Sequence, residues 1–225
     1  YYVRAYSQDN MKSSTSCIKQ LTTYNSPKPL FMYLSYVTVE DNDHVELMFY
    51  TDTSAHVQLY RILRGNGEAG PFIEAGIVSE SGDEYLYFSD LNVDVSSGSY
   101  YYQVEVIDSC GVPEVIANTS RTIHLQAEAL PDLSNLLNWN AYESWQGRTL
   151  GYRIYRILND DPAELLADVD SLTLTYIDNV SGLTGSVSRI RYYVEAYEGN
   201  SNPMGFKEVS RSNEVLSEQE PEAYL

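Results

Sequence analysis

Cysteine is nearly missing from this chain, and that bounds it first. Cys17 and Cys110 are the only two in 225 residues. They are too few for a disulfide framework or a tetrahedral metal site, and leave one bridge or two free thiols as the alternatives. Basic residues are scarce as well: 14 Lys and Arg stand against 32 Asp and Glu, a net charge of -18. Such a field repels nucleic acid and anionic lipid surfaces, so no nucleic-acid partner is expected. No apolar run approaches the roughly 18 residues that span a bilayer, so no membrane span is expected. The opening YYVRAYSQDN lacks the basic start and apolar middle of an export signal, and reads as the inside of a strand belonging to something longer.

Catalytic groupings are also lacking. His44, His56 and His124 are scattered over separate segments with no metal-ligand spacing, and no Ser or Cys nucleophile motif accompanies them. Carboxylates abound only because the chain is acidic, so no pair stands out for glycoside chemistry. The acidic loops at 40–43 (EDND) and 159–161 (NDD) lack the alternate acidic spacing and glycine of a dedicated calcium loop. The expectation is a protein with no enzymatic activity, no cofactor and no metal.

What is present points to strands. Twenty-one tyrosines accompany only five phenylalanines, and tyrosine suits half-buried strands because a large apolar ring ends in a polar tip. Helical periodicity is absent. YYVRAY (1–6), YYYQVEVID (100–108) and RYYVEAYEG (191–199) alternate apolar with polar residues, the period of a strand with one buried face. Tyr102, Val104 and Val106 should face inward, as should Tyr192, Val194 and Ala196. Each segment is followed by a Ser-rich strand start, at 13–18, 118–123 and 210–215.

Upstream the match extends over two full copies. Phe49 in VELMFY answers Trp139 in NLLNWN, and VQLYRI (57–62) answers YRIYRI (152–157), which sets Tyr60 against Tyr155. The offset is 90 residues from Phe49 to Trp139 and from Tyr102 to Tyr192, but 95 from Tyr60 to Tyr155. Five extra residues are therefore expected in the loop around Trp145. A repeat of this length with seven short strands per copy predicts all-β, immunoglobulin-like sandwiches in tandem. The predicted strands are 31–39, 44–50, 56–63, 71–78, 84–90, 99–107 and 115–120, then 121–128, 134–140, 151–158, 163–169, 172–178, 189–197 and 208–216. Residues 1–28 read as the last hairpin of a preceding module plus linker, 29–120 as module one, 121–217 as module two, and 218–225 as an acidic tail. A lone hairpin is marginal in water, so residues 1–23 are expected to pack on module one or a neighbouring molecule.

The segment NTSRTIHLQAE joins the modules without Gly or Pro, which predicts a stiff junction. Trp145, in NAYESWQGRTLG with Tyr142, is expected at a module tip. There it stacks on a sugar or anchors a protein partner, or else it closes the end of the sandwich over Trp139. A Cys17–Cys110 bridge would clamp the N-terminal hairpin to the turn after module one's sixth strand.

Taken together, LLNWNAY, YRIYRI, YYVEAY, VIDSCG and RTIHL resemble the tandem fibronectin type III modules of very large secreted proteins of the Bacteroidetes. There such modules precede a gliding-motility-associated C-terminal domain, the type IX secretion sorting signal. The resemblance implies secretion from a Gram-negative cell and a structural spacer role beside neighbouring modules, with an unidentified protein or glycan as partner if the chain binds one. Departures are Phe49 in place of the strand-two tryptophan, and Ile190 where the tyrosine opening the penultimate strand is Tyr100 in module one.

Overall fold

The computed structural model describes residues 1–21, 29–55, 57–107, 113–143, 145–183 and 189–217, with backbone alone at 114–116. Every regular element among them is a strand, and every pair of strands is antiparallel. The chain opens with a hairpin of β1 (Arg4–Tyr6) and β2 (Ser13–Thr15). Two sandwiches follow.

In the first, β3 (Met32–Glu40), β4 (His44–Thr51) and β7 (Tyr85–Asp90) form one sheet in the order β3-β4-β7. Facing it are β5 (Leu59–Gly65), β6 (Phe72–Ser79), β8 (Tyr101–Ile107), β9 (Pro113–Ile116) and β10 (Ser120–Arg121), in the order β10-β8-β5-β6 with β9 also on β8. The second repeats this plan. β11 (Leu125–Leu130), β12 (Ser134–Trp139) and β15 (Thr175–Asn179) face β13 (Thr149–Leu158), β14 (Glu164–Asp170), β16 (Ile190–Glu198), β17 (Val209–Arg211) and β18 (Val215–Ser217).

Strand periodicity places the cores. Tyr102, Val104 and Val106 of β8, and Tyr192, Val194 and Ala196 of β16, are all at most 2% exposed. They meet Phe49, Leu47 and Leu34 in one core, and Leu137, Leu125 and Trp139 in the other. Each such aliphatic side chain contributes about 1.5–3 kcal/mol by leaving water. The same polar tie crosses both cores. Tyr102 donates its hydroxyl to Asp90 (2.9 Å), which also receives Arg64 (2.5 Å). Tyr192 donates to Asp178 (2.8 Å), which receives Arg156 (2.9 Å). Burial first, and then the neighbouring aspartate, pushes both phenols well above their ordinary value.

A second repeated device closes the first strand of each sandwich. The Asn118 amide accepts the Leu34 N–H (2.8 Å) and donates to the Leu34 carbonyl (3.0 Å). Asn213 does the same for Leu125, at 2.7 and 3.1 Å. The chain leaves the sheet at these asparagines, so the last strand of each module is split in two.

Three expectations need correction. Tyr155 is not the counterpart of Tyr60. Ile62 pairs with Val104, and Ile154 with Val194, which makes Tyr152 the buried equivalent of Tyr60. YRIYRI repeats every three residues, and three steps along a strand reverse the face. Tyr155 therefore lies on the outside, stacked on Tyr193 at 4.7 Å.

The five extra residues are not around Trp145 either. Phe49 and Tyr60 lie 11 apart and Trp139 and Tyr152 lie 13 apart, so only two are added there. The five sit between β16 and β17. Ala117 bonds back to Val104 across 13 residues, whereas Ser212 bonds back to Val194 across 18.

Finally, of the two packing partners expected for the N-terminal hairpin, module one is not one, which leaves a neighbouring molecule. Every residue from Tyr1 to Leu21 is exposed except the half-buried Ser7. Its backbone bonds close within itself, from Ser16 to Val3 and from Lys19 to Tyr1, which satisfies the polar groups without help from a second surface.

Candidate functional site

The distinctive site of the molecule is the junction between the sandwiches. Strand β3 is an edge strand, and an unpaired edge exposes a row of N–H and C=O groups. Module two supplies partners for that row. The indole of Trp145 donates to the Ser35 carbonyl (2.7 Å), and the Tyr142 hydroxyl accepts the Val37 N–H (3.0 Å). Ser210 donates its hydroxyl to the Val37 carbonyl (2.7 Å), and the Arg211 N–H donates to the Thr38 hydroxyl (2.9 Å). Further out, the Gln146 N–H reaches the Tyr33 hydroxyl (3.1 Å), and the Glu214 N–H reaches the Asn42 side chain (2.7 Å).

Three of these six groups lie on the loop between β12 and β13 and two on β17, and a second loop adds ring contacts. The loop between β12 and β13 holds Tyr142 and Trp145, packed ring against ring at a 40° tilt with centres 4.0 Å apart. Both are buried, at 3% and 6% exposure. The Tyr142 backbone N–H is fixed by the Tyr152 hydroxyl (2.9 Å), so the true counterpart of Tyr60 also holds this loop. The loop between β16 and β17, where the five extra residues lie, brings Phe206 against Tyr33 at 5.8 Å and Tyr50 at 5.7 Å.

A buried carboxylate joins the two loops. Glu198, 6% exposed, accepts the Gly147 N–H (2.8 Å), the Asn202 amide (2.7 Å) and the Glu208 N–H (3.3 Å). Bonds to an ionised acceptor are the stronger kind. A side chain at Gly147 would come within 2.6 Å of the Glu198 carboxylate and 2.7 Å of the Gly199 carbonyl, so only glycine permits this approach. Burial drives the Tyr142 and Tyr33 hydroxyls above their usual value, which keeps them neutral hydrogen-bonding groups.

The covalent link is tied down on both sides. Thr122 exchanges backbone and hydroxyl bonds with Tyr100, Ile123 is 1% exposed within the second core, and the His124 N–H donates to the Asn140 side chain (2.8 Å). The Asn140 amide donates in turn to the Thr122 carbonyl (3.0 Å).

The other singled-out residues lie elsewhere. Phe49, Tyr60, Tyr102, Tyr192 and Trp139 are buried in the two cores. Tyr100 packs at the edge of the first core with its hydroxyl on the Asp94 carbonyl (3.0 Å), a tyrosine corner that Ile190 cannot form. Cys17 is exposed in the N-terminal segment, while Cys110 and His56 lie outside the described residues. Asp43 bonds to His44, and Asp160 lies near Arg189 and Arg191, at 3.9 and 3.6 Å. Among the described residues no three His, Cys, Asp or Glu side chains converge on a point where a metal could bind.

No protein-family model and no curated protein matches the chain. Two solved structures illustrate what it is similar to. A segment of two fibronectin type III domains from chicken tenascin is 15% identical, with 84% of this chain and 96% of that one covered and a TM-score of 0.31. The FN1–FN3 domains of chicken CNTN1 are 14% identical, with 96% and 76% covered and a TM-score of 0.30. The fold rests on the strand order: three strands face a four-strand path, and the edge strand β6 or β14 joins the larger sheet in both modules. The chain is a tandem of two immunoglobulin-like β-sandwiches.

Proposed function

We propose that the chain is a non-catalytic structural spacer of a secreted or cell-surface protein, in which two sandwiches act as one stiff unit. The hydrogen-bonded cover that module two places over the β3 edge carries this reading. A junction made only of a linker leaves domains free to reorient. Here six backbone or side-chain groups of module one, from Tyr33 to Asn42, have partners in module two. The resemblance of the repeat phrases to modules ahead of a type IX sorting domain supports export by that route, with residues 1–28 as the end of a preceding module.

The rival reading, a glycan- or protein-binding loop end at Trp145, requires that ring and Tyr142 to be accessible. Both are covered by module one, so a ligand could reach them only if the junction opened. Small-angle X-ray scattering tests the two together. One narrow shape matching the docked pair, unchanged when candidate glycans are added, is expected for a spacer. A broad distribution of separations in the free protein would remove the basis for this function.

A further inference from the structure

The outer face of the β3-β4-β7 sheet differs from the outer faces of the larger sheets in one respect. On the larger sheets, tyrosines lie beneath arginines of the same chain. Arg121 lies 5.1 Å from the Tyr101 ring centre, Arg153 4.6 Å from Tyr197 and Arg211 3.8 Å from Tyr193. Even in the N-terminal hairpin Arg4 covers Tyr6. A cation over a ring face is attracted by the ring quadrupole, and each of these pairs uses that attraction.

The β3-β4-β7 face carries the densest aromatic group of the molecule, and among the described residues no Lys or Arg lies over it. Strand register puts Tyr33, Tyr50 and Tyr85 in one row, and Tyr36, Met48 and Tyr87 in the next. Phe31 stacks on Tyr50 at 4.9 Å, Tyr50 on Tyr85 at 5.2 Å, and Phe206 from module two meets the edge of Tyr85 at 6.3 Å. Tyr85 and Tyr87 are 45% and 63% exposed. The platform therefore continues across the junction from one sandwich to the other.

Acidic groups surround the rings. Glu84 and Asp52 act on Tyr50, while Glu46, Glu208 and Glu40 act on Tyr36. Tyr36 registers them: its hydroxyl is pushed up to about 12, by burial first and then by these carboxylates and Tyr87. Two nearby cationic groups are engaged elsewhere. Arg211 pairs with Glu214 and covers Tyr193, and His44 stands between Asp43 and Glu46.

We infer that this face binds an extended, Arg- or Lys-bearing polypeptide segment, whose cations take over Tyr85 and Tyr87 the place that the chain's own arginines take over Tyr101, Tyr193 and Tyr197. Charge and ring faces both favour a cation there. The acidic rim supplies the long-range attraction. The inference goes beyond the spacer role, because the face is complete whether or not the modules carry load.

The test uses the whole chain and a short labelled peptide of alternating Arg and Ser, with a Gln-for-Arg version as reference. Saturable binding of the Arg peptide is expected, weakening as salt rises. Tyr85→Ser/Tyr87→Ser should lower affinity about tenfold, because two exposed cation–ring contacts are lost, while an unchanged circular dichroism spectrum at the assay temperature shows the fold kept. Glu46→Gln/Glu84→Gln should weaken binding more than Glu68→Gln/Glu74→Gln, which removes the same charge from a distant exposed site. Equal losses from the two glutamate pairs would mean diffuse attraction to an acidic protein, and would overturn the site. It is overturned equally if the Gln peptide or neutral oligosaccharides bind as well as the Arg peptide. A dimer of the free protein that the tyrosine pair dissolves would also overturn it, by assigning the face to a second copy.

Discussion

Single residues show how the same repeated device is weighted differently in the two modules. Asp90 and Asp178 occupy matching places, but their surroundings differ. Arg64 has Asp90 as its carboxylate partner, with the Asn92 carbonyl at 3.0 Å. Arg156 has a second carboxylate, Glu164 at 2.8 Å, and Tyr192 also receives the Asn135 amide at 2.7 Å. Removing one partner of a buried pair costs about 3–5 kcal/mol when the other charge is stranded. Asp90→Ala should approach that range, and Asp178→Ala should fall clearly below it, as read from urea unfolding of each variant. Equal losses would mean that the second carboxylate does nothing for Arg156.

His124, in the link, adds a pH dependence. Burial, and then the nearby Arg121, holds its imidazole below its usual value against the opposing pull of the Val95 carbonyl and Asp94. Between the unfolded value near 6.5 and the lower folded one, the unfolded chain carries the proton and the folded chain does not. Stability is therefore level above about pH 6.5 and falls as pH drops through that window. His44 works in the opposite direction, because Asp43 raises its value. The readout is therefore the difference in melting temperature between wild type and His124→Gln, followed from neutral to acid pH. Parallel curves would show that His124 titrates alike in both states.

At the scale of elements, the strands were legible and the alignment between modules was partly not. Alternation along Tyr100–Asp108 and Arg191–Gly199 carries the face assignment within itself, so β8 and β16 lie where expected. YRIYRI offers two tyrosines three residues apart, and composition cannot say which faces in. Only pairing with β16 decides for Tyr152. The docking of Tyr142 and Trp145 was invisible for a related reason, since an aromatic loop reads the same whether it meets solvent, ligand or a neighbouring edge.

The asparagine clamps were hidden as well. Asn118 sits among Ser and Thr in a stretch that looks like an ordinary strand start, and its true counterpart, Asn213, is offset by 95 residues. Each clamp satisfies a backbone N–H and a C=O of a buried leucine, and leaving such groups unpaired costs about 1–3 kcal/mol. Asn118→Ala and Asn213→Ala should each lose stability in that range, and by similar amounts. Amide exchange at Leu34 in the first variant and Leu125 in the second should quicken selectively. A loss confined to one of them would show that the two clamps are not equivalent.

For the whole molecule, the junction decides whether two cores behave as one. Each sandwich has a separate buried cluster, which by itself predicts two independent unfolding events. The junction opposes this: if module one unfolds, Trp145, Tyr142 and Ser210 lose their partners on β3, and the loops held by Glu198 lose the surface they close on. The wild-type chain is therefore expected to melt in one transition, with calorimetric and van't Hoff enthalpies in agreement. Truncating a buried tryptophan costs about 3–5 kcal/mol. In Trp145→Ala that loss falls on the coupling between modules, because the ring's hydrogen bond ends on Ser35 of module one. The variant should melt in two steps. Exchange at the Val37 amide should rise in the same variant, since its acceptor Tyr142 loses the ring packed against it, while Val104 in the first core stays protected. A wild-type protein that already melts in two steps, with Val37 exchanging as freely as a solvent-facing edge, would mean that the sandwiches touch without being coupled.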